Sequence, residues 1–145
     1  MENLKEVVEY SVIGILIVMS IISIAIAIER YFFYKKVDLT GFKTKNEAEI
    51  GLSKHLSTLS IIGSNAPYIG LLGTVFGIMV VFYDMGMSDS IEPNVIVIGL
   101  SLALKVTAVG LLVAIPATML YSGFLRKTDK LMARWEDEVS HAITQ

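Results

Sequence analysis

The composition of this chain excludes most classes of soluble protein. Its 145 residues are 54% hydrophobic and only 18% charged, whereas an average soluble domain is about 45–50% apolar and about 25% charged. A chain this short cannot bury so much apolar surface in one soluble core, so we expect lipid to cover part of it. The absence of cysteine, the two histidines and the net charge of −2 argue against disulfide frameworks, zinc enzymes and nucleic-acid binding.

Three stretches nearly free of charge predict three transmembrane helices. Residues 10–28 and 56–83 contain no Asp, Glu, Lys or Arg, and residues 93–125 contain only Lys105. A bilayer core requires about 20 apolar helical residues. The predicted transmembrane helices cover residues 9–29, 61–83 and 94–124. We therefore expect a single all-α membrane domain over 1–145, with its second and third helices extending beyond the bilayer.

The basic residues set the expected orientation. Most Lys and Arg residues lie near or within two segments, 35–60 and 126–145, whereas the turn between the second and third helices is purely acidic. The positive-inside rule then places the N-terminus in the periplasm and both basic segments in the cytoplasm. The first residues carry Glu2, Glu6 and Glu9, unlike the basic start of a signal peptide, so we expect the first helix to be retained.

Two patterns outside the membrane segments indicate further helices. Thr44–Glu47 fits a capping box, which predicts a helix that runs into the second membrane helix; a solvated linker is the alternative. The apolar face of that helix comprises Ile50, Leu52, Leu56 and Leu59. The tail after Arg126 keeps helical spacing, and we expect it to pack on neighbours or to lie on the membrane surface. Its apolar face comprises Leu131, Trp135, Val139 and either Ala142 or Ile143.

The second and third membrane helices each carry small residues along one face. The second helix groups Gly63, Pro67, Gly70, Thr74 and Gly77, and the third groups Ala103, Thr107, Gly110, Ala114 and Thr118. Small residues allow transmembrane backbones to approach closely, because lipid provides no hydrophobic drive for helix association. The residues assigned to helix packing are Gly70, Gly73, Gly77 and Gly110.

Two threonines on these faces are candidates for the lining of a polar passage. Thr74 and Thr107 each lie about 14–18 Å below the expected outer surface, at 1.5 Å of rise per residue. Two hydroxyls at similar mid-membrane depth, each on a small-residue face, favour the lining of a narrow polar passage. Each hydroxyl can also bond back to its own helix, so plain helix packing is the alternative.

Charged residues near the membrane are few. Lys105 is the single ionisable residue well inside it, where a charge costs about 2.5–3.5 kcal/mol and indicates function. It lies about 160° around the helix from Thr107, and no carboxylate is expected at its depth. We expect it to pair with a partner subunit, to pair with Glu29 or Asp84 of a neighbour, or to snorkel outward. Glu29 and Arg30 form an expected interfacial ion pair.

The sequence shows no carboxylate or histidine buried well inside the membrane that could carry protons. Three helices are also too few to enclose a path. Both shortages predict a homo-oligomer with a second subunit that supplies the titrating group. The sequence has no nucleotide-binding loop, metal-ligand cluster or nucleophile–base pair, so we expect neither an enzyme nor a bound cofactor, with protons as the coupling ion.

Two long motifs resemble a known family. APYIGLLGTVFGIM at 66–79 and ALKVTAVGLLVAIPA at 103–117 resemble the ExbB/TolQ/MotA proton-channel family, with ExbB the nearest branch. The resemblance implies a ring, generally a pentamer, in the bacterial inner membrane around transmembrane helices of ExbD. It also implies that the proton motive force drives TonB for uptake of iron complexes and vitamin B12. Thr74 and Thr107 match the family's pore-facing threonines, and the titrating aspartate belongs to ExbD.

The sequence also departs from the family pattern. Many members carry Glu where this chain has Leu102, Lys105 replaces a usually apolar residue, and the cytoplasmic loop is short. A TolQ-like motor for envelope maintenance, a structural scaffold and a small transporter are the alternatives. A transporter requires an intramembrane acid and an inverted repeat, and the sequence shows neither.

Overall fold

The structure, a computed structural model, describes residues 2–144 as four α-helices and one short 3-10 helix. In chain order these are α1 (Glu2–Lys36), the 3-10 helix (Leu39–Gly41), α2 (Lys45–Leu52), α3 (Leu56–Met87) and α4 (Pro93–Thr144). The predicted all-α class is confirmed.

Three of these helices are long and apolar enough to cross a membrane. They are α1, α3 and α4, with 35, 32 and 52 residues, and each contains one of the predicted membrane segments. At 1.5 Å per residue α4 is about 78 Å long, far beyond a hydrocarbon core of about 30 Å. The second and third membrane helices therefore extend beyond the bilayer, as expected.

α3 and α4 pack as an antiparallel pair. Gly63 lies opposite Thr118, and Gly70 lies opposite Gly110, so residue numbers rise along one helix as they fall along the other. α1 lies against both helices, and Leu16 is fully buried in the cluster that joins all three. The buried members of this cluster are Val12, Leu16, Ala66, Val106 and Ala114.

The connection between α1 and α3 differs from the expected continuous helix. Thr44 caps α2 as predicted, since its hydroxyl accepts a hydrogen bond from the Glu47 amide at 3.1 Å. However, α2 ends at Leu52, and His55 adopts a left-handed conformation with φ 69° before α3 begins. The break folds α2 back so that Ala48 and Leu52 are buried against the tail of α4, which a straight helix would not allow.

The residues of the expected apolar faces separate into buried and exposed sets. In the connection, Leu52, Leu56 and Leu59 are buried, whereas Ile50 is 71% exposed. In the tail, α4 continues without a break and buries Leu131 and Trp135. Ala142 and Ile143 are exposed, so the apolar face ends earlier than predicted, because α1, the 3-10 helix and α2 cover only the first part of the tail.

Trp135 joins the tail to the connection. It is only 6% exposed, and its indole N–H donates to the carbonyl oxygen of Phe42 at 3.2 Å. It packs in one cluster with Tyr34, Leu39, Ala48, Leu52 and Leu131. The tail thus packs on the rest of the same chain, and its tryptophan is not available to a membrane surface.

We expect Trp135→Ala to lower the free energy of unfolding by about 3–5 kcal/mol, because a large buried side chain and its hydrogen bond are lost. Ile143→Ala on the same helix is the matched control, since Ile143 is 80% exposed. Thermal unfolding of the detergent-solubilised protein measures both variants. Equal stability of the two variants would contradict the packing described here.

Candidate functional site

The backbones of α3 and α4 approach closely at two glycines. A Cβ added to Gly110 would lie 2.8 Å from the carbonyl oxygen of Ala66 and 3.0 Å from the Cα of Gly70. A Cβ added to Gly70 would lie 3.0 Å from the carbonyl oxygen of Val106. The atoms in the way belong to the backbone, so no side-chain rotation relieves the contact. Glycine is therefore required on both sides of this crossing, as in other close transmembrane helix pairs.

The other two predicted packing glycines lie one and two turns along α3. A Cβ on Gly73 would lie 2.6 Å from Val106 Cγ1 and 3.0 Å from Val12 Cγ1, so α1 and α4 both approach it. A Cβ on Gly77 would lie 2.9 Å from the Cβ of Ala103. All four glycines therefore lie at helix contacts.

The two candidate threonines meet across the α3–α4 crossing. The hydroxyls of Thr74 and Thr107 are hydrogen-bonded to each other. The Thr74 hydroxyl also lies 2.8 Å from the carbonyl oxygen of Ala103, to which it can donate. Thr74 is buried, whereas Thr107 is half-buried at the edge of the helix pair. The structure thus brings together two residues from different helices, which the sequence analysis placed on the small-residue face of each helix.

This geometry defines a short hydrogen-bond relay. When Thr74 donates to Ala103, it can still accept from Thr107, whose own lone pairs remain at the half-exposed edge. Within residues 2–144, the hydrogen bonds of the two hydroxyls go only to each other and to the carbonyl oxygens of Gly70 and Ala103. A hydroxyl passes a proton along but does not titrate near neutral pH, so a proton path through this relay requires a separate titrating group.

Lys105 lies away from this pair. Its side chain is exposed, and neither of the ion pairs found within residues 2–144 includes it. Glu9 of α1 lines a pocket with Leu102, Ala103 and Val106 of α4, so a carboxylate of this chain lies near the stretch of α4 that carries Lys105. The sequence does not show how far α1 is shifted along the other helices, and that shift determines the height of Glu9.

The predicted ion pair of Glu29 and Arg30 is present, and Arg30 also bonds the end of α2. Arg30 is 1% exposed, and its Nε and Nη2 donate to the two carboxylate oxygens of Glu29 at 2.5 and 2.6 Å. Its Nη1 donates to the carbonyl oxygens of Gly51 and Leu52 at 3.1 and 3.3 Å. A cation near carbonyls at a helix C-terminus is favourable, so Arg30 fixes the end of α2 to α1.

Two further side chains complete this contact. The Tyr34 hydroxyl donates to the carbonyl oxygen of Leu52 at 2.6 Å and lies 3.0 Å from the hydroxyl of Thr128 on α4. We call this group of residues the junction: Glu29, Arg30, Tyr34, Leu52 and Thr128. Sequence analysis did not identify Tyr34 and Thr128 as junction residues, and the one available signal is the position of Tyr34 one helical turn after Arg30.

The fold and the threonine pair together define a class: a multi-pass membrane protein with a hydrogen-bonded hydroxyl pair in its central helix contact. The chain matches the MotA/TolQ/ExbB proton channel family over residues 24–137. It is 48% identical over 135 residues to the biopolymer transport protein ExbB of Helicobacter pylori strain J99, covering 93% of each chain. It is 43% identical over 136 residues to ExbB of Aquifex aeolicus, covering 94% of this chain and 92% of that protein.

A third relative is the Tol-Pal system protein TolQ of Pseudomonas aeruginosa, 37% identical over 84 residues, which are 58% of this chain and 36% of that protein. The chain belongs to the MotA/TolQ/ExbB family. It is a proton-channel subunit of an energising membrane complex and not an enzyme.

We expect Gly110→Ala to destabilise the α3–α4 pair by about 1–3 kcal/mol, because the new methyl group meets backbone atoms. Gly123→Ala is the matched control in the same helix, since a Cβ at Gly123 meets nothing within 4 Å. Alanine favours helix over glycine by about 1 kcal/mol, so the control should be neutral or stabilised. Thermal unfolding in detergent measures both, and a Gly110→Ala protein as stable as the control would contradict the close crossing.

We expect Arg30→Lys to lower the free energy of unfolding by about 1.5–3 kcal/mol, because an ammonium cannot bond the Glu29 carboxylate and two carbonyls in the same fork geometry. Cleavage of the 37–55 connection by added protease should become faster. Arg134→Lys, at an exposed position of α4, is the control. The junction assignment fails when both variants are cleaved at the wild-type rate.

Proposed function

We propose that this chain is the proton-channel subunit of a TonB-energising complex in the bacterial inner membrane. Copies of the chain, five in number, surround the transmembrane helix of an ExbD-like single-span subunit. Proton flow through the ring drives a TonB-like protein, which powers uptake of iron complexes and vitamin B12 across the outer membrane. The high identity to proteins named ExbB over most of the chain supports this reading.

The observation that carries the proposal is the hydroxyl contact between Thr74 and Thr107. The pair lies at the edge of the two-helix contact, with Thr107 half-exposed, where a ring of copies would line an axis with such pairs. A carboxylate on the enclosed helix then exchanges a proton with Thr107, and the hydroxyl passes one proton as it receives another. One proton moving through 100 mV releases about 2.3 kcal/mol, which is the energy that each proton supplies to the complex.

The proposal includes an orientation. Most basic residues follow α1 or lie in the last part of α4, close to the junction. The positive-inside rule places these parts in the cytoplasm and the N-terminus in the periplasm. The 3-10 helix, α2 and the tail of α4 then form a compact cytoplasmic layer, which the junction attaches rigidly to α1.

A TolQ-like role in envelope maintenance is the second candidate, and the similarity to the Pseudomonas protein favours it. That similarity covers 58% of this chain, compared with more than nine-tenths for the ExbB proteins. The two roles share the proton path and differ in the partner. A structural scaffold without an ion path would show no proton flux through the assembled complex, and a small transporter would require its own intramembrane acid and an inverted repeat.

We expect Thr107→Val to reduce proton flux and energised uptake by about a hundredfold or more, because valine keeps the shape and removes the hydroxyl. Thr74→Val and the corresponding alanine variants should behave in the same way. Flux is measured by a pH-sensitive dye in vesicles that contain the complex, and uptake is measured in cells.

The controls separate lost chemistry from lost packing. Thr107→Ser keeps a hydroxyl and should retain most of the flux, and Thr58→Val replaces an exposed threonine near the start of α3. All variants should assemble with the partner subunit. Wild-type uptake in a fully assembled Thr107→Val complex would contradict the role of the pair.

A further inference from the structure

The proposed path leaves Lys105 without a role. The side chain is exposed, and no ion pair within residues 2–144 includes it. Lys105 lies about 160° around α4 from Thr107. In a ring of copies with Thr107 facing the central axis, Lys105 therefore faces away from that axis. A carboxylate on the enclosed subunit is therefore on the wrong side to pair with this lysine.

A carboxylate of this chain lies near the same stretch of α4. Glu9 lines a pocket with Leu102, Ala103 and Val106, which bracket Lys105 along α4. Glu9 is half-buried and forms no ion pair among the described residues. Its side chain therefore has an open surface through which a neighbouring molecule can reach it.

The second cation near Glu9 is Lys5, and its ammonium group points towards α4. Lys5, one turn earlier on α1, lines the same pocket. Its ammonium nitrogen, however, lies beside Gly99, 3.3 Å from where a Cβ added to that glycine would be. Gly99 is near the first turns of α4, above the level of Lys105. Glu9 and Lys105 thus remain as opposite charges near the same stretch of α4, one on α1 and one on the side of α4 that points away from α3.

We propose that Lys105 of each copy forms an ion pair with Glu9 of the adjacent copy in the ring. A ring joins one face of each copy to a different face of the next. It therefore requires two complementary faces on the same chain, here one with Lys105 and one with Glu9. An unpaired ammonium in lipid is costly, and the pair removes that cost at each interface. This inference rests on the proposed ring and assigns the exposed face of α4 to a second copy of the chain.

Cross-linking tests the pair directly, because the chain contains no cysteine. Two differently tagged copies, one with Glu9→Cys and one with Lys105→Cys, are produced together with the partner subunit and treated with a short membrane-permeant bifunctional thiol reagent. We expect a covalent dimer that carries both tags. Leu104→Cys, exposed on the neighbouring side of α4, replaces Lys105→Cys as the matched control and should give little dimer.

A second arm asks whether the two positions meet within one chain. One tagged copy carries both cysteines and is diluted with an excess of cysteine-free copies before treatment. The proposal predicts that this copy cross-links poorly with itself. A cross-link within the diluted chain, or equal dimer yields for Leu104→Cys and Lys105→Cys, overturns the pairing between copies.

Charge reversal tests the energetic role. We expect Lys105→Glu to lower the yield of rings in native mass spectrometry by about tenfold, because two carboxylates then meet at the interface. Glu9→Lys combined with Lys105→Glu should recover the yield. An unchanged yield for Lys105→Glu overturns the pair while leaving the proposed function intact, whereas a wild-type chain that forms no ring overturns both.

Discussion

The backbone contact between α3 and α4 determines where the two candidate threonines meet. Gly70 and Gly110 allow the two helices to approach until backbone atoms touch, and only then do the hydroxyls of Thr74 and Thr107 come within hydrogen-bonding reach. A larger residue at either glycine would separate the helices and leave each hydroxyl bonded to its own backbone. In lipid, where helix association depends on close packing and polar contacts, the same contact both holds the hairpin together and aligns the relay.

The junction performs a different task at the other end of the molecule. Arg30 is fully buried, and each of its three guanidinium nitrogens donates a hydrogen bond, to a carboxylate on one side or to the final carbonyls of α2 on the other. Leu52 receives hydrogen bonds from α1 and α4 through Arg30, Tyr34 and Thr128. The long helices are therefore tied to one another outside the hairpin contact, so the layer formed by α2 and the tail of α4 moves with α1.

The sequence predicted the features that depend on local pattern. The uncharged stretches predicted the three membrane helices. Helical periodicity placed Thr74 and Thr107 on the small-residue faces, and the spacing of Thr44 and Glu47 predicted the helix cap. Features that depend on tertiary contact were missed. The turn at His55 follows from the burial of α2 against α4, and the height of Glu9 follows from the shift of α1 along the hairpin. The roles of the two threonines stay predictions, because a proton path needs the partner chains.

A structure of the complex extracted from its own membrane, determined by electron cryo-microscopy, tests the central claim most directly. We predict a ring of this chain around one or two single-span helices, with the Thr74–Thr107 pairs facing the axis and a partner carboxylate at their height. Identification of the partner chain in the same map separates the TonB-energising role from the TolQ-like role. A dimer without an enclosed helix, or a ring with Thr107 turned to lipid, would contradict the account.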